Sequence, residues 1–264
     1  MPISTLRHLA TCTSTMDEAA GWAREGAPHL ACVMANEQTA GRGRQGRVWQ
    51  TFPGHSLACT YIVRQPAPHL PLLAAVALSR ALHHVCNQSS SVMPAQAGIQ
   101  SATPPATDIH IQLKWPNDIL LNNRKLSGIL VESLAVSTPH PPTYLLGIGL
   151  NLTRSPAMMD SFPGIPLADV VQPPTPLQLM NILTSCLSEV LTLYSHSGWP
   201  ALAGEYVRQS CTIGQTVRWM KPDGTEVFGH AKGLTPDGTL ELVDEAGGLH
   251  QIHSGDVIAQ GRKH

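Results

Sequence analysis

Gly41-Arg42-Gly43-Arg44-Gln45-Gly46-Arg47-Val48-Trp49 puts three glycines and three arginines into its first seven residues and then closes on an aromatic. Glycine lets the backbone take positive φ and pass close to a ligand. Arginine offers a planar, permanently charged fork that fits carboxylate and phosphate oxygens. Such a loop is built to close over an anion. Its flanks are apolar: Ala-Cys-Val-Met-Ala-Asn at 31–36 and Ser-Leu-Ala-Cys-Thr-Tyr-Ile-Val at 56–63 read as buried strands, so the loop joins two strands.

Upstream, Ser14-Thr15-Met16-Asp17-Glu18 precedes an apolar-periodic run that ends at Gly26. Ser14 suits a helix N-cap with Asp17 as a capping-box variant, and Gly26 suits the stop. Downstream, residues 69–88 carry Leu72, Leu73, Val76, Ala77, Leu82 and Val85 at helical spacing. Residues 89–108 are rich in Ser, Pro, Ala and Gln and read as a surface insertion. Order resumes in an alternating strand from Ile109 to Lys114, followed by Trp115-Pro116-Asn117-Asp118 and Ile119-Leu120-Leu121. Asn122-Asn123 then makes a tight turn into the strand Arg124 to Glu132. Tyr144 to Leu152 is a buried strand with Gly147 and Gly149 two residues apart, so one of its faces is bare and something packs against its backbone. Residues 177–194 and 198–209 read as helices. After Gly214, short strands alternate with the turns Asp223-Gly224, Asp237-Gly238 and Gly247-Gly248, which predicts a small β-barrel. The expected domains are residues 1–212 and 213–264.

The 264 residues carry a formal net charge of −1 with 42% hydrophobic content, so the arginine loop is a local feature and not part of a broad basic surface. The six cysteines are scattered and the thirteen histidines show no metal-ligand spacing. No signal peptide and no apolar run of about 18 residues is visible. A cytoplasmic chain with no membrane contact is expected.

Ser14-Thr15, the loop from Gln38 to Trp49, Lys114 to Asp118, and Gly147 to Asn151 can line one cleft. Fixed cations beside glycine backbone suit the joining of two anions, such as a carboxylate attacking the α-phosphate of ATP. Magnesium would shield the pyrophosphate, held directly or through water by Asn117 or Asp118 or carried on the phosphates, and no metal ligand is certain. There is no phosphate-loop motif and no nucleophile elbow.

Gln38-x-x-Gly41-Arg42-Gly43-Arg44-x-Gly46-Arg47-x-Trp49, Lys114-Trp115-Pro116-Asn117-Asp118, Lys125-Leu126-Ser127-Gly128-Ile129-Leu130-Val131-Glu132 and Gly147-Ile148-Gly149-Leu150-Asn151 resemble the biotin–protein ligase family in order and spacing. The match runs from Ser14 to Asn151 and resumes in the small barrel. The resemblance implies an α+β fold: a central mixed β-sheet flanked by helices, class II synthetase-like, plus a small C-terminal SH3-like β-barrel. It implies that biotin and Mg2+-ATP give biotinoyl-AMP, whose acyl group passes to a lysine of a biotin carboxyl carrier protein, commonly that of acetyl-CoA carboxylase. Lys114 and Arg42 would be catalytic. Ser14, Thr15, Met16, Gln38, Gly41, Arg42, Gly43, Arg44, Lys114, Gly128 and Gly149 would bind biotin. Arg42, Arg44, Arg47, Trp49, Asn117, Lys125 and Asn151 would bind ATP or the adenylate. Met16 departs from the family, which usually has Asn there. The family's DNA-binding winged helix is missing, so a ligase without DNA binding is expected, and a homodimer is left open. The alternatives are a lipoate–protein ligase of the same fold and a non-catalytic RNA- or anion-binding module.

Overall fold

The computed structural model describes residues 5–65, 67–90, 109–135, 142–159, 162–221 and 223–259. The chain first lays down β1 (Leu6–Cys12), α1 (Thr15–Arg24), β2 (Cys32–Gln38) and β3 (Ser56–Val63). Next come α2 (Leu70–Ser90), β4 (Ile111–Lys114), β5 (Asp118–Leu121), β6 (Arg124–Leu134) and β7 (Thr143–Asn151). These seven strands form one sheet in the order β1-β2-β3-β7-β6-β5-β4. β1 and β2 run parallel because α1 crosses between them; the remaining neighbours are antiparallel. The sheet is mixed, as expected. A two-strand hairpin, β8 (Met158–Met159) with β9 (Phe162–Pro163), precedes α3 (Pro176–Ser197) and α4 (Pro200–Gln209).

Side chains alternate across a strand, so each strand feeds two faces. Leu146, Ile148 and Leu150 of β7 join Cys59 and Tyr61 of β3 in the larger core, which α2, α3 and α4 cover. Leu145 and Ile62 face the other way and pack under α1 with Met16, Ala19 and Ala23. The same parity puts Gly147 and Gly149 on the α1 face. There the strand is covered by the Met16 side chain of α1 and by the Trp49 ring instead of by side chains of its own.

Local chemistry accounts for most boundaries. Ser14 caps α1 by accepting from the Met16 N–H at 3.3 Å. The expected capping box is not formed: Asp17 pairs with Arg42 instead of reaching back. Gly26 leaves α1 with φ of 95°, and Asn122 and Asn123 turn with φ of 50° and 63°. α3 begins with a complete capping box between Thr175 and Gln178. Arg80 on α2 forks onto Glu205 of α4 at 2.9 and 2.6 Å. Of the expected insertion at 89–108, residues 89 and 90 close α2 and residues 91–108 lie outside the described residues. No helix of the described residues is long and apolar enough to cross a membrane.

The chain ends in β10 (Thr216–Met220), β11 (Glu226–Leu234), β12 (Leu240–Asp244), β13 (Leu249–Ile252) and β14 (Asp256–Ala259). They form an antiparallel sheet in the order β13-β12-β11-β10-β14. A small β-barrel was expected; among the described residues no pairing closes β13 onto β14. Val217, Leu240, Leu242 and Ile252 of this sheet join the larger core.

Leu78 on α2 is fully buried in that core. Leu78→Ala should cost about 2–5 kcal/mol through lost transfer energy and the cavity left behind. Urea unfolding should show a lower midpoint at unchanged slope; a loss under about 1 kcal/mol would mean that the helix repacks freely.

Candidate active site

A cavity of about 240 Å3 opens on the α1 face, where the strands are bare. Its floor is the cross-strand pair Gly128 on β6 and Gly149 on β7. A Cβ at 149 would overlap the Trp49 indole, and one at 128 would stand 3.1 Å from it. At Gly147 a Cβ would lie 2.8 Å from the Met16 sulfur. The glycines therefore let an aromatic ring and a thioether lie directly on the sheet. The Trp49 indole N–H is buried without a hydrogen-bond partner among the described residues, a donor with capacity to spare beside the cavity.

One wall is the start of α1. The Thr15 hydroxyl and N–H both donate to Gln38 Oε1, at 3.0 and 2.8 Å, and the Thr60 hydroxyl donates to Thr15 at 2.8 Å. Ser14 lines the same wall while capping the helix. Its two readings, cap and ligand contact, are compatible.

The opposite end is cationic. Asp118 opens β5 with Lys114 Nζ at 3.3 Å from Oδ2 and Lys125 Nζ at 3.0 Å from Oδ1. All three side chains are at most 11% exposed. Burial alone would push the Asp118 carboxyl up, but Lys125 and Lys114 override it and hold it below the usual carboxylate range. Among the described residues, one carboxylate thus stands between two ammoniums at the cavity end. Lys114 also stands 5.0 Å over the Phe162 ring.

The arginine loop forms the roof. Gly43 donates to the Arg47 carbonyl at 2.7 Å and Trp49 to the Gly41 carbonyl at 2.9 Å, around a short 3-10 turn at Arg44–Gly46. Its arginines diverge to α1, β6, the Asn117 turn and β14. Arg42 meets Asp17 of α1 at 2.6 Å and Glu132 of β6 at 3.4 Å. Arg44 donates to Asn117 Oδ1 at 2.9 Å, and Asn117 Nδ2 donates to the Ile129 carbonyl at 2.9 Å. Arg47 meets Asp256 of β14 at 2.7 Å.

The cavity wall thus collects fourteen of the sixteen expected site residues: Ser14, Thr15, Met16, Gln38, Arg42, Gly43, Arg44, Arg47, Trp49, Lys114, Asn117, Lys125, Gly128 and Gly149. Gly41 and Asn151 support it from behind. A Cβ at 41 would press on the Trp49 carbonyl and on Gln38. Asn151 is fully buried beneath the floor with Nδ2 near the Lys125 carbonyl. Asp118, expected there only as a possible magnesium holder, also lines the cavity, as do Met158, Met159 and Asp256, which were not foreseen. Asn117 Oδ1 accepts from Arg44, and the two Asp118 oxygens face Lys114 and Lys125. Among the described residues no cluster of three or more His, Cys, Asp or Glu could hold a metal ion. Among the described residues, side chains alone do not make a Mg2+ site.

Asp118→Asn should leave two buried ammoniums facing a neutral amide and cost about 3–5 kcal/mol at pH 7. The wild-type carboxyl is held low, so its contribution is present above the ordinary carboxylate pKa of about 3.9 and is lost as pH falls through the native value. Urea unfolding against pH should show that acid-side loss in the wild type and not in Asp118→Asn; equal stability of the two at pH 7 would contradict the charge assignment.

The first part of the chain, residues 10–151, matches the model of the biotin/lipoate A/B protein ligase family, and residues 212–259 match the biotin protein ligase C-terminal domain. A biotin–[acetyl-CoA-carboxylase] ligase of Mycobacterium tuberculosis is 32% identical over 86% of this chain and 77% of its own length. One from Paracoccus denitrificans is 30% identical over 90% of this chain and 94% of its own length. The fold is that of the biotin protein ligase from Aquifex aeolicus solved with biotin and ATP, at a TM-score of 0.74 and 22% identity over 96% of this chain and 97% of that one. With residues 10–151 and 212–259 both matched, this chain belongs to the biotin/lipoate A/B protein ligase family.

Proposed function

We propose that the chain is a biotin–protein ligase that activates biotin with ATP as biotinoyl-AMP and transfers the biotinoyl group to a lysine of a biotin carboxyl carrier protein. The observation that carries the reading is the buried Lys114–Asp118–Lys125 group at one end of a glycine-floored cavity roofed by three arginines. In the first step a carboxylate oxygen of biotin attacks the α-phosphorus of ATP and pyrophosphate leaves. Both reactants are anions, so a fixed positive charge between them lowers the repulsion and stabilises the charge that builds on the phosphoryl oxygens. Lys114 is that charge, and Lys125 lies on the nucleotide side of it. Asp118 holds both ammoniums still, so little reorganisation is needed at the moment of reaction. In the second step the acceptor amine attacks the acyl carbon and AMP leaves. Mg2+ travels on the phosphates of ATP.

At the other end, Ser14, Thr15 and Gln38 present hydroxyl and amide groups suited to the ureido ring of biotin. The dithiolane of lipoate offers this polar end no hydrogen-bond partner, which disfavours it. The relatives from Mycobacterium tuberculosis and Paracoccus denitrificans are named for biotin. Met16 puts a soft apolar side chain where an amide is usual, so the polar contacts on this side rest on the other three residues. An RNA- or anion-binding module is disfavoured by a net charge of −1 and by arginines that all face protein partners. We read residues 1–212 as the catalytic domain and 213–264 as a smaller SH3-like unit. The expected setting is the cytoplasm.

The test is ATP–pyrophosphate exchange with biotin and with lipoate side by side. Exchange should depend on biotin, and lipoate should support little. Lys114→Ala should lower biotin-dependent exchange by roughly a hundredfold or more while keeping the fold, because Lys125 still neutralises Asp118. Exchange supported by lipoate alone, or wild-type exchange in Lys114→Ala, would sink the reading.

A further inference from the structure

We infer that Asp256, on the C-terminal sheet, is a positioning residue for the arginine loop: it holds Arg47 and so anchors one end of the roof over the adenylate. The inference rests on the ligase reading above. Asp256 lies 209 residues from Arg47, yet both line the same cavity. Arg47 Nη2 stands 2.8 and 2.7 Å from the two Asp256 oxygens and also donates to Gln45 at 2.6 Å. The Arg47 backbone closes the loop at both ends of the turn, donating to the Arg44 carbonyl and accepting from Gly43. Holding this one residue therefore holds the loop.

An anchor must itself be fixed, and Asp256 is. It pairs with Met220 across β10 and β14. Gly255 before it has φ of 122°, open only to glycine at low cost, and packs against Trp219, whose indole N–H donates to the Ser254 carbonyl at 3.2 Å. The C-terminal sheet is in turn fastened to the catalytic part at a second place. Trp115 Nε1 donates to the Gly238 carbonyl at 3.3 Å. His69 Nε2 lies 2.9 Å from the Pro236 carbonyl, which can only accept, so Nε2 carries the proton and Nδ1 accepts from the Tyr194 hydroxyl. His69 also stacks on Trp199 at 5.2 Å. Trp115 follows Lys114 directly, so the contact that seats the sheet belongs to the turn that carries the reactive cation.

The Arg47 and Asp256 side chains are about one-third exposed. A pair so placed contributes little to global folding. It suits a contact that must open to admit ligand and close again over the product of the first step.

The experiment uses the full chain loaded with biotin and labelled ATP, and follows release of the labelled adenylate. Asp256→Ala and Asp256→Asn should each speed release about three- to fivefold and leave the thermal midpoint within a degree or so of wild type. Asp256→Glu, which keeps the charge, should recover most of the retention. Arg47→Ala with Asp256→Ala should release no faster than Arg47→Ala alone, because the two residues act as one contact. Release from wild type should quicken with salt, and release from Asp256→Ala should respond less. Wild-type retention in Asp256→Ala, or accelerations that multiply in the double variant, would overturn the inference and leave the ligase reading intact. A wild-type chain that forms no adenylate would overturn both.

Discussion

Two ammonium groups cannot be buried side by side without a compensating charge, and Asp118 supplies it for Lys114 and Lys125. That requirement ties together the parts of the chain that make the site. β4 delivers Lys114 and β5 begins at Asp118, with only the Trp115-Pro116-Asn117 turn between them. β6 brings Lys125 back alongside after the Asn122-Asn123 turn. Asn117, inside the same turn, is fixed to Ile129 and in turn fixes Arg44. The cation group, the roof and the seat of the C-terminal sheet thus share five consecutive residues. A disturbance there would reach all three.

The roof is a short hairpin pinned by side chains, not a rigid cover. Each pin runs to a different element: α1 and β6 for Arg42, the Asn117 turn for Arg44, and β14 for Arg47. These contacts are to partly exposed oxygens, so each is weak alone. Anionic ligands in the cavity offer the same arginines stronger, less hydrated partners. On the proposed ligase reading, binding and closure would be coupled for that reason, and exclusion of water would protect a mixed anhydride that otherwise hydrolyses.

Much of the fold and site was legible in the sequence because its signals are local. Periodicity gave the strands and helices, and Gly147 with Gly149 announced a bare strand face, which Met16 and Trp49 cover. Lys114 at a strand end pointed to the cavity. What could not be read is long-range. Nothing around Asp256 separates it from any acidic residue at the start of a strand; its meaning comes from Arg47, far away in sequence. Asp118 looked like a metal ligand because the two lysines that neutralise it are placed only by strand pairing. Asp17 looked like half of a capping box, but an arginine from another element outcompetes the backbone. Strand-and-turn rhythm fits a barrel and an open sheet equally, since closure depends on whether the two edge strands meet.

The central claim is that the arginine loop retains the activated intermediate beside the fixed cationic end of the cavity. It is tested most directly by the rate at which biotinoyl-AMP leaves the wild-type chain and Arg42→Ala in the absence of an acceptor protein. Slow release from wild type and release at least about tenfold faster from Arg42→Ala, the loss of about one charge-assisted hydrogen bond, is the expected result. Equal release rates from the two chains would contradict the claim.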